Sequence, residues 1–379
     1  MIARLHPTAS LNDFSTIIKK HARVKYCFFV NSGRCAQTLI LTALKALSKT
    51  DKNEVIIPAY TCYSVPASVA RAGLKIRIVD IDPHTLDYNY ALLKDIDFTK
   101  VLAVNASNLF GLVSNWTELR VIAQKHRLYL IDDAAQTLGS FYNREPSGKM
   151  GDAGFYSLDR GKNLTTFSGG ILMTDNDSLE KQLSIEHDRL KMPGLLFEAG
   201  VMTKIIIYGL MLRPRLYWLP QALPFLGLGQ TVYDENFPMT RLSRIQLCAG
   251  KVLYRKVAAY NEIRTENARR LAEALSRNGR FYIPGYTTDN CPTYLRLPIL
   301  AENKTARNLA VKELRKNKIS TSVMYPGIIR NIPGLDSRLS SAEKNFPGAS
   351  SVVDRLFTLP VHPYVTKRDI DIMISCLNV

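Results

Sequence analysis

The stretch EVIIPAYTCYSVPASVARAGLKIRIVDIDP, residues 54–83, contains two short apolar runs separated by a longer segment rich in small residues. Further apolar runs follow along the chain, and segments with apolar residues at three- and four-residue spacing lie between them. The predicted strands are EVIIPA (54–59), KIRIVDID (75–82), KVLAVNAS (100–107), RLYLIDDA (127–134) and GGILMTD (169–175). The predicted helices include CAQTLILTALKAL (35–47) and TELRVIAQKH (117–126). This alternation is typical of an α/β protein with a mostly parallel sheet.

The chain is long enough for two or three domains and carries a strong excess of positive charge. Its 379 residues are 46% apolar and 22% charged, with a net charge of +17 and a pI near 9.6. Such a surface attracts phosphates, nucleic acid or anionic lipid. None of the sequence signatures of a nucleic-acid module is present, and the basic residues are scattered along the chain. We therefore predict no nucleic-acid partner.

The cysteines indicate a reducing compartment. The chain has six of them, at positions 27, 35, 62, 248, 291 and 376, without a CxxC pair or metal-ligand spacing. We predict reduced thiols and no metal site. The start of the chain, MIARLHPTASLNDF, lacks the apolar core of a signal peptide, which predicts a cytoplasmic protein.

The pattern divides the chain into a large domain at 1–250 and a small α+β domain at 251–379. A long helix at about 241–278 is predicted at the boundary. The small domain then reads as strand, helix, strand and helix: TYLRLPIL (293–300), ARNLAVKELRKNKI (306–319), STSVMYP (320–326) and KRDIDIMISCL (367–377).

An apolar segment at 194–229 forms an insertion in the large domain. Its longest uncharged run, from Ile205 to Leu212, is far short of the roughly 20 residues needed to span a bilayer. One interpretation is buried packing or a subunit contact. The other is peripheral contact with the inner face of a membrane, with Trp218 and Arg215 at the interface.

Polar residues at strand ends are candidates for a site, because ligands of parallel sheets bind beyond the carboxyl ends of the strands. Asp132 and Asp133 end one strand, and a carboxylate there needs a cation or a proton donor, although helix capping is an alternative. NSGRCAQT, residues 31–38, opens a helix whose free amides suit a phosphate, although Ser-Gly is also an ordinary helix start.

Lys162 lies in a loop of small and polar residues, five positions after Ser157. A solvated surface lysine is the commoner case for any single lysine. Together with the acidic strand end and the helix start, however, it forms a constellation that pyridoxal phosphate (PLP) explains. The lysine would serve the cofactor aldehyde, a carboxylate the ring nitrogen, and the helix start with Ser157 the phosphate.

The sequence resembles the DegT/StrS family of PLP-dependent sugar aminotransferases over nearly its whole length. The matching segments follow the family's order: SGRCAQTLILTAL (32–44), the opening stretch 54–83, LIDDAAQTLGS (130–140), GKMGDAGFYSLDRGKNLTTFSGGILMT (148–174), RLSRIQ (241–246), MYP (324–326) and NFPGASSVVDRLFTLPVHP (345–363). The resemblance implies the aspartate aminotransferase-like fold, PLP fold type I, with a seven-stranded-type sheet and a small C-terminal domain.

The resemblance implies a role for each matching residue. Lys162 would form the Schiff base and move the proton, and Asp133 would pair with the ring nitrogen. Gln136 would lie near the phenolic oxygen. The phosphate would be held by Ser157, Gly33 and the backbone of Arg34 and Cys35. Arg34 replaces the family's usual threonine, so its side chain either strengthens phosphate binding or points away.

The sequence departs from the family at three positions. Cys62 stands where an aromatic ring usually stacks on the cofactor, and Tyr60 or Tyr63 is the alternative for that contact. Ser168 replaces a glutamate, and Met239 replaces an asparagine that reaches the partner subunit's phosphate in the family. We take Cys62 and Tyr63 as candidate cofactor residues.

The activity implied by the resemblance is transfer of an amino group from an amino acid, usually glutamate, to a keto-sugar linked to a nucleotide or a lipid. Such reactions serve surface polysaccharide or secondary-metabolite biosynthesis, in a homodimer. Tyr325 and Asn108 are our candidate substrate residues. Alternatives are other PLP chemistry, such as dehydration or acyl transfer, and a noncatalytic regulatory or membrane-binding member. A related dehydrating branch replaces the lysine with histidine.

Overall fold

A computed structural model describes residues 7–211, 232–277, 279–287 and 292–377, and its centre is a seven-stranded sheet. The strands stand in the order β1-β9-β8-β5-β4-β2-β3, and β9 alone runs against the other six. Their bounds are β1 Tyr26–Val30, β2 Glu54–Pro58, β3 Lys75–Val79, β4 Val101–Ser107, β5 Tyr129–Asp133, β8 Ala153–Ser157 and β9 Gly170–Thr174; β6 Phe141–Tyr142 and β7 Glu145–Pro146 form a separate hairpin. The predicted α/β class and mostly parallel sheet are confirmed.

Helices cover both faces of this sheet. In the part of the chain that the structure describes they are α1 Pro7–Ala22, α2 Gly33–Leu47, α3 Ser64–Arg71, α4 Tyr90–Lys94, α5 Trp116–His126, α6 Asp177–Asp188, α7 Leu195–Met211, α8 Arg244–Tyr254, α9 Val257–Ser276, α10 Lys304–Lys316, α11 Pro347–Arg355 and α12 Lys367–Leu377. Short 3₁₀ turns lie at Ile329–Asn331 and Asp336–Arg338.

The continuous apolar runs of the sequence follow from this double coverage. In β2, Val55 and Ile57 pack in the same cluster as α2, whereas Ile56 packs in the cluster of α5 on the other face. All seven residues of β4 are buried. A strand buried on both faces has no solvent-facing side, so its sequence is mostly apolar instead of alternating.

A second sheet, of three antiparallel strands, forms in the C-terminal part. It has the order β10-β11-β12, with β10 Phe281–Tyr282, β11 Leu297–Ala301 and β12 Leu356–Leu359. Residues of α9, α10 and α12 share its apolar cluster. Residues between 325 and 356 also pack in the core of the large sheet. The division at residue 250 stays a proposal.

Two predicted elements were wrong. The long helix at 241–278 is two helices, α8 and α9, because the chain turns at Arg255 and Lys256. STSVMYP is not a strand: Ser322 makes a single bridge to Thr358, and Met324 adopts a φ of +58°, which ends extended pairing. The strand that completes this sheet is β12.

The apolar insertion falls partly within the described residues. Its first part is α7, and residues 212–231, which include Trp218 and Arg215, lie outside the described part of the chain. Among the described residues, no helix is long and apolar enough to cross a membrane. Nor do those residues hold a group of three or more His, Cys, Asp or Glu placed to bind a metal ion.

Candidate active site

The start of α2 meets the end of β8 at Gly33 and Ser157. A side chain at residue 33 would place its Cβ 3.3 Å from the Cβ of Ser157 and 3.4 Å from its Oγ, so glycine permits this approach. Ser32 caps the helix by accepting a hydrogen bond from the Cys35 amide at 3.1 Å. First-turn amides lack intrahelical partners and favour anions. The helix start and Ser157 therefore fit a phosphate group.

Arg34 and Cys35 contribute differently from each other. The Arg34 guanidinium carbon lies 4.8 Å from the centre of the Phe237 ring, a cation–π contact that fixes the side chain on that ring. Cys35 is buried, and burial raises the pKa of its thiol to about 12. The thiol is therefore neutral near pH 7, and the Cys35 amide is engaged by the Ser32 cap.

Asp132 is enclosed by hydrogen-bond donors. Its Oδ1 accepts a bond from Asn108 Nδ2 at 2.7 Å, and its Oδ2 accepts bonds from the amides of Gly148 at 2.6 Å and Met150 at 3.1 Å. Burial nevertheless raises the pKa of this carboxyl to about 7. These bonds tie the end of β5 to Asn108, directly after β4, and to the loop before β8, so Asp132 has a structural role.

Asp133 faces a different environment. Its Oδ1 accepts the Ala135 amide at 3.2 Å, and burial raises the pKa of its carboxyl to about 6. The positive charge of Lys162 and a hydrogen bond from the Asn105 side chain act in the opposite direction. Asn105 also accepts a bond from Gln37 Nε2 of α2 at 2.9 Å. Asp133 is thus a buried carboxylate under the influence of the Lys162 charge.

The loop that carries Lys162 is held at several points. Lys162 is half-buried, and its amide donates to the carbonyl of Asp159 at 3.3 Å. Further along, Gln246 Nε2 of α8 donates to the carbonyls of Thr166 at 3.2 Å and Ser168 at 2.7 Å, and to the Ser168 hydroxyl at 3.0 Å. The serine that replaces the family's glutamate is therefore a partner of Gln246.

A second clamp acts directly after the lysine. Asn163 Nδ2 donates to Asn261 Oδ1 at 3.0 Å, and Asn261 Nδ2 donates to the carbonyl of Leu138 at 2.9 Å. Sequence reasoning missed Gln246 and Asn261 as parts of the site. The motif RLSRIQ contains Gln246, where its capping box with Ser243 gives a local signal, but no local pattern marks Asn261.

Gln136 joins the large sheet to the C-terminal part. Its Oε1 accepts the Phe110 amide at 3.0 Å, and its Nε2 donates to the Tyr325 hydroxyl at 3.0 Å. The ring of Tyr325 lies 5.3 Å from that of Tyr60, and burial raises the pKa of the Tyr325 phenol well above its ordinary value. The motif MYP is thereby brought to the predicted site.

The other candidates are placed as follows. Cys62 is half-buried and lies close enough to Tyr325 to influence its ionisation. Tyr63 is buried, with its hydroxyl near Gly327, and Tyr60 is fully enclosed. Asn108 donates to Asp132 Oδ1 and to the Asp133 carbonyl, and its Oδ1 accepts the Ser114 amide. Substrate contact by Asn108 stays a prediction, while these bonds position Asp132.

The residues present fit the cofactor that the resemblance implies. Glycine at residue 33 keeps a cradle open beside Ser157 that a Cβ would narrow. Asp133 is a buried carboxylate suited to a protonated ring nitrogen. Lys162 supplies an amine close enough for its charge to act on Asp133. The neighbouring Asp132 is saturated by its own donors.

Comparison with known proteins gives three kinds of similarity. A family model described as the DegT/DnrJ/EryC1/StrS aminotransferase family matches residues 6–378. The chain is 33% identical over 169 residues to a pleiotropic regulatory protein of Geobacillus stearothermophilus, covering 44% of this chain and 45% of that protein. It is 29% identical over 173 residues to a GDP-perosamine synthase of Caulobacter vibrioides, covering 46% of each. Both alignments thus span under half of the relative's length.

A solved structure matches over more of the chain. The crystal structure of a DegT DnrJ EryC1 StrS aminotransferase from Brucella abortus is 22% identical and has a TM-score of 0.74. The match covers 97% of this chain and 89% of that one. At this identity the similarity shows the fold.

Proposed function

The chain belongs to the DegT/DnrJ/EryC1/StrS aminotransferase family, a family of PLP-dependent enzymes, and we propose that it moves an amino group from glutamate to a keto-sugar. The observation that carries this proposal is that Lys162 lies close enough to the buried carboxyl of Asp133 for its charge to lower the pKa of that group. Of the two adjacent buried carboxylates, Asp132 accepts three hydrogen bonds from protein donors. The charge of Lys162 lowers the pKa of Asp133, against the effect of burial. That is the arrangement a PLP site requires.

When bound, PLP supplies an aldehyde that takes up the amine and a ring that withdraws electrons. We assign Lys162 as the residue that binds this aldehyde and then moves a proton at the substrate α-carbon, as general base and acid. Asp133 would keep the ring nitrogen protonated. Gly33, Ser157 and the first turn of α2 would bind the phosphate.

Gln136 and Tyr325 have positions that suit substrate orientation. Because Gln136 bonds both the Phe110 amide and the Tyr325 hydroxyl, it fixes the phenol at the boundary between the large sheet and the C-terminal part. We propose that Gln136 lies along the cofactor and that Tyr325 contacts the substrate. Cys62 and Tyr63, directly before α3, would complete the wall of the cofactor pocket.

For the acceptor we propose a keto-sugar carried on a nucleotide or on a lipid. The partial similarity to a GDP-perosamine synthase supports a nucleotide-linked sugar. The amino donor would be glutamate, and the product would enter surface polysaccharide or secondary-metabolite biosynthesis. We further propose that the chain forms a homodimer in the cytoplasm.

Two other functions are open to direct test. Dehydration or acyl transfer would use the same cofactor, but a dehydrating branch that resembles this sequence has histidine where Lys162 stands. A noncatalytic regulatory role has some support from the similarity to a pleiotropic regulatory protein. Retention of Lys162, Asp133, Gln136 and Ser157 argues against it, because binding without turnover has no need of all four.

The decisive experiment follows the amino group. The full chain, reconstituted with PLP, is mixed with glutamate and a panel of nucleotide-linked keto-sugars, and 2-oxoglutarate is measured while the cofactor absorbance is recorded. Lys162→Ala should abolish 2-oxoglutarate formation and the lysine-dependent absorbance, whereas Lys181→Ala, at an exposed lysine of α6, should change neither. Turnover by Lys162→Ala at the wild-type rate would refute the assignment.

A further inference from the structure

From Leu195 to Ile207, helix α7 presents apolar side chains to solvent on most of its circumference. Between Leu195 and Ile207, Glu198 and Val201 are the buried residues, and they lie on one side of the helix. The large exposed side chains, with their exposed fractions, are Leu195 86%, Leu196 92%, Phe197 50%, Met202 51%, Ile206 53% and Ile207 49%. A contiguous apolar surface of this kind marks an interaction site.

The one acidic residue of α7, Glu198, is buried against the start of α8 and does not lie on the exposed surface. Glu198 is buried and accepts the amides of Arg244 at 2.8 Å and Ile245 at 3.1 Å, at the start of α8. A carboxylate at a helix N-terminus is stabilised by those amides and by the helix dipole. Glu198 is the single acidic residue of the sequence from Arg189 to Met211. The exposed face of α7 is therefore without carboxylates.

Exposed basic side chains lie on α7 and on the segments next to it. Lys204 on α7 and Arg244 at the start of α8 are exposed, as is Lys191 just before α7. In the described parts of the chain, none of the three has a carboxylate within ion-pairing distance. Lys204 Nζ instead lies 5.9 Å from the centre of the Phe167 ring, in the loop that carries Lys162. The α7 surface thus combines exposed apolar residues with positive charge.

We propose that this surface docks on an anionic lipid bilayer. Apolar side chains with basic neighbours are the combination by which interfacial helices bind membranes: the apolar atoms enter the headgroup boundary and the cations attract anionic lipid. The net charge of +17 adds long-range attraction to such a surface. The proposal is independent of the reaction assigned to Lys162.

A second copy of this chain is the competing occupant, and its charge makes it less suitable. In a twofold interface the same patch is present on both sides, so Lys204 and Arg244 of both copies would be brought into one interface to which α7 contributes no exposed carboxylate. Like charges brought together without carboxylates between them oppose association. An anionic headgroup layer offers the opposite sign to the same residues.

The test uses the full chain, loaded with PLP, in co-sedimentation with vesicles. Phosphatidylcholine vesicles are compared with vesicles that also contain phosphatidylglycerol, in roughly 0.1 M and roughly 1 M salt, where the Debye lengths are about 10 Å and about 3 Å. We expect binding to the anionic vesicles that falls by about tenfold or more at high salt. Leu195→Ser with Leu196→Ser, and separately Lys204→Gln with Arg244→Gln, should each weaken it by about tenfold or more.

A matched control removes exposed leucines elsewhere. Leu92→Ser with Leu309→Ser, at positions 46% and 63% exposed, should leave vesicle binding unchanged. Circular dichroism and the PLP absorbance check that every variant is folded. The proposal is overturned if the wild type binds neither vesicle, or if all pairs weaken binding equally. It is also overturned if light scattering shows a dimer that the Leu195 and Leu196 changes dissociate while lipid binding is absent.

Discussion

Replacement of Asp133 by asparagine should have opposite effects on the stability of the protein and on its affinity for PLP. In the protein without cofactor, burial removes water from the Asp133 carboxylate, and this desolvation raises its pKa from 3.8 to about 6. At about 1.4 kcal/mol for each pKa unit, this difference corresponds to about 3 kcal/mol. Asparagine has a similar shape and carries no charge to desolvate.

The raised pKa of Asp133 determines how the free energy of unfolding changes with pH. Between pH 3.8 and about 6 the folded protein binds a proton at Asp133 that the unfolded chain has released. The free energy of unfolding therefore falls as pH rises through this window, and the loss is complete above about pH 6. Asp133→Asn lacks this loss, so it should be the more stable protein at neutral pH by up to about 3 kcal/mol.

The assay is urea unfolding of the cofactor-free protein at several pH values, with Asp51→Asn, at an exposed carboxylate, as the control. We expect no advantage for Asp133→Asn near pH 4, and an advantage that grows up to about pH 6 and then stays level to pH 7.5. The same variant should bind PLP at least about tenfold more weakly, because an uncharged amide cannot stabilise a protonated ring nitrogen. A stability gain that does not change with pH, or a loss at pH 7.5, would refute the reasoning.

Three other substitutions test the remaining contacts. Asp132→Asn removes a buried charge as Asp133→Asn does, but it also places an amide donor against one of the donors that now bond the carboxylate, so in urea titrations at neutral pH it should be less stable than Asp133→Asn by about 1–3 kcal/mol. Gly33→Ala should weaken PLP binding by about tenfold in an absorbance titration, since its Cβ would meet Ser157 at 3.3 Å, whereas Gly200→Ala, with open space around it, should not. Asn261→Ala leaves the side-chain amide of Asn163 and the carbonyl of Leu138 without their partners. It should lower the free energy of unfolding by about 1–3 kcal/mol in thermal or urea unfolding, whereas the control Asn317→Ala, at an exposed helix end, should not.

The strands that could be predicted from the local sequence are those whose apolar residues reflect burial on both faces of the sheet. β2, β4 and β5 each contain an uninterrupted apolar run, VII, VLAV and YLI, because helices cover both sides of the sheet. β8, with the sequence AGFYS, has small and polar residues within five positions and was missed as a strand; its place between β5 and β9 completes its pairing. β1 was also missed. The break between α8 and α9 carries neither glycine nor proline, so no local signal marked it.

The site divides in the same way. Lys162 and the helix start at Gly33 could be identified from residues near them in sequence and from a family resemblance. The distinct roles of Asp132 and Asp133 could not, because they depend on donors from Asn108, Gly148 and Met150, which are distant in the chain. The clamp by Asn261 joins residues about a hundred positions apart, and only three-dimensional packing brings them together.

The buried bond between Gln37 and Asn105 has a consequence for how the pocket tolerates change. It joins α2, whose first turn would hold the phosphate, to the strand next to the one that ends in Asp133, and Asn105 also bonds Asp133 itself. If the proposed cofactor site is right, one connected unit would position both ends of the bound cofactor. A substitution that breaks the bond between these two amides should displace both the first turn of α2 and the Asp133 carboxylate. A second substitution that corrects only one of them would not restore the distance between the two.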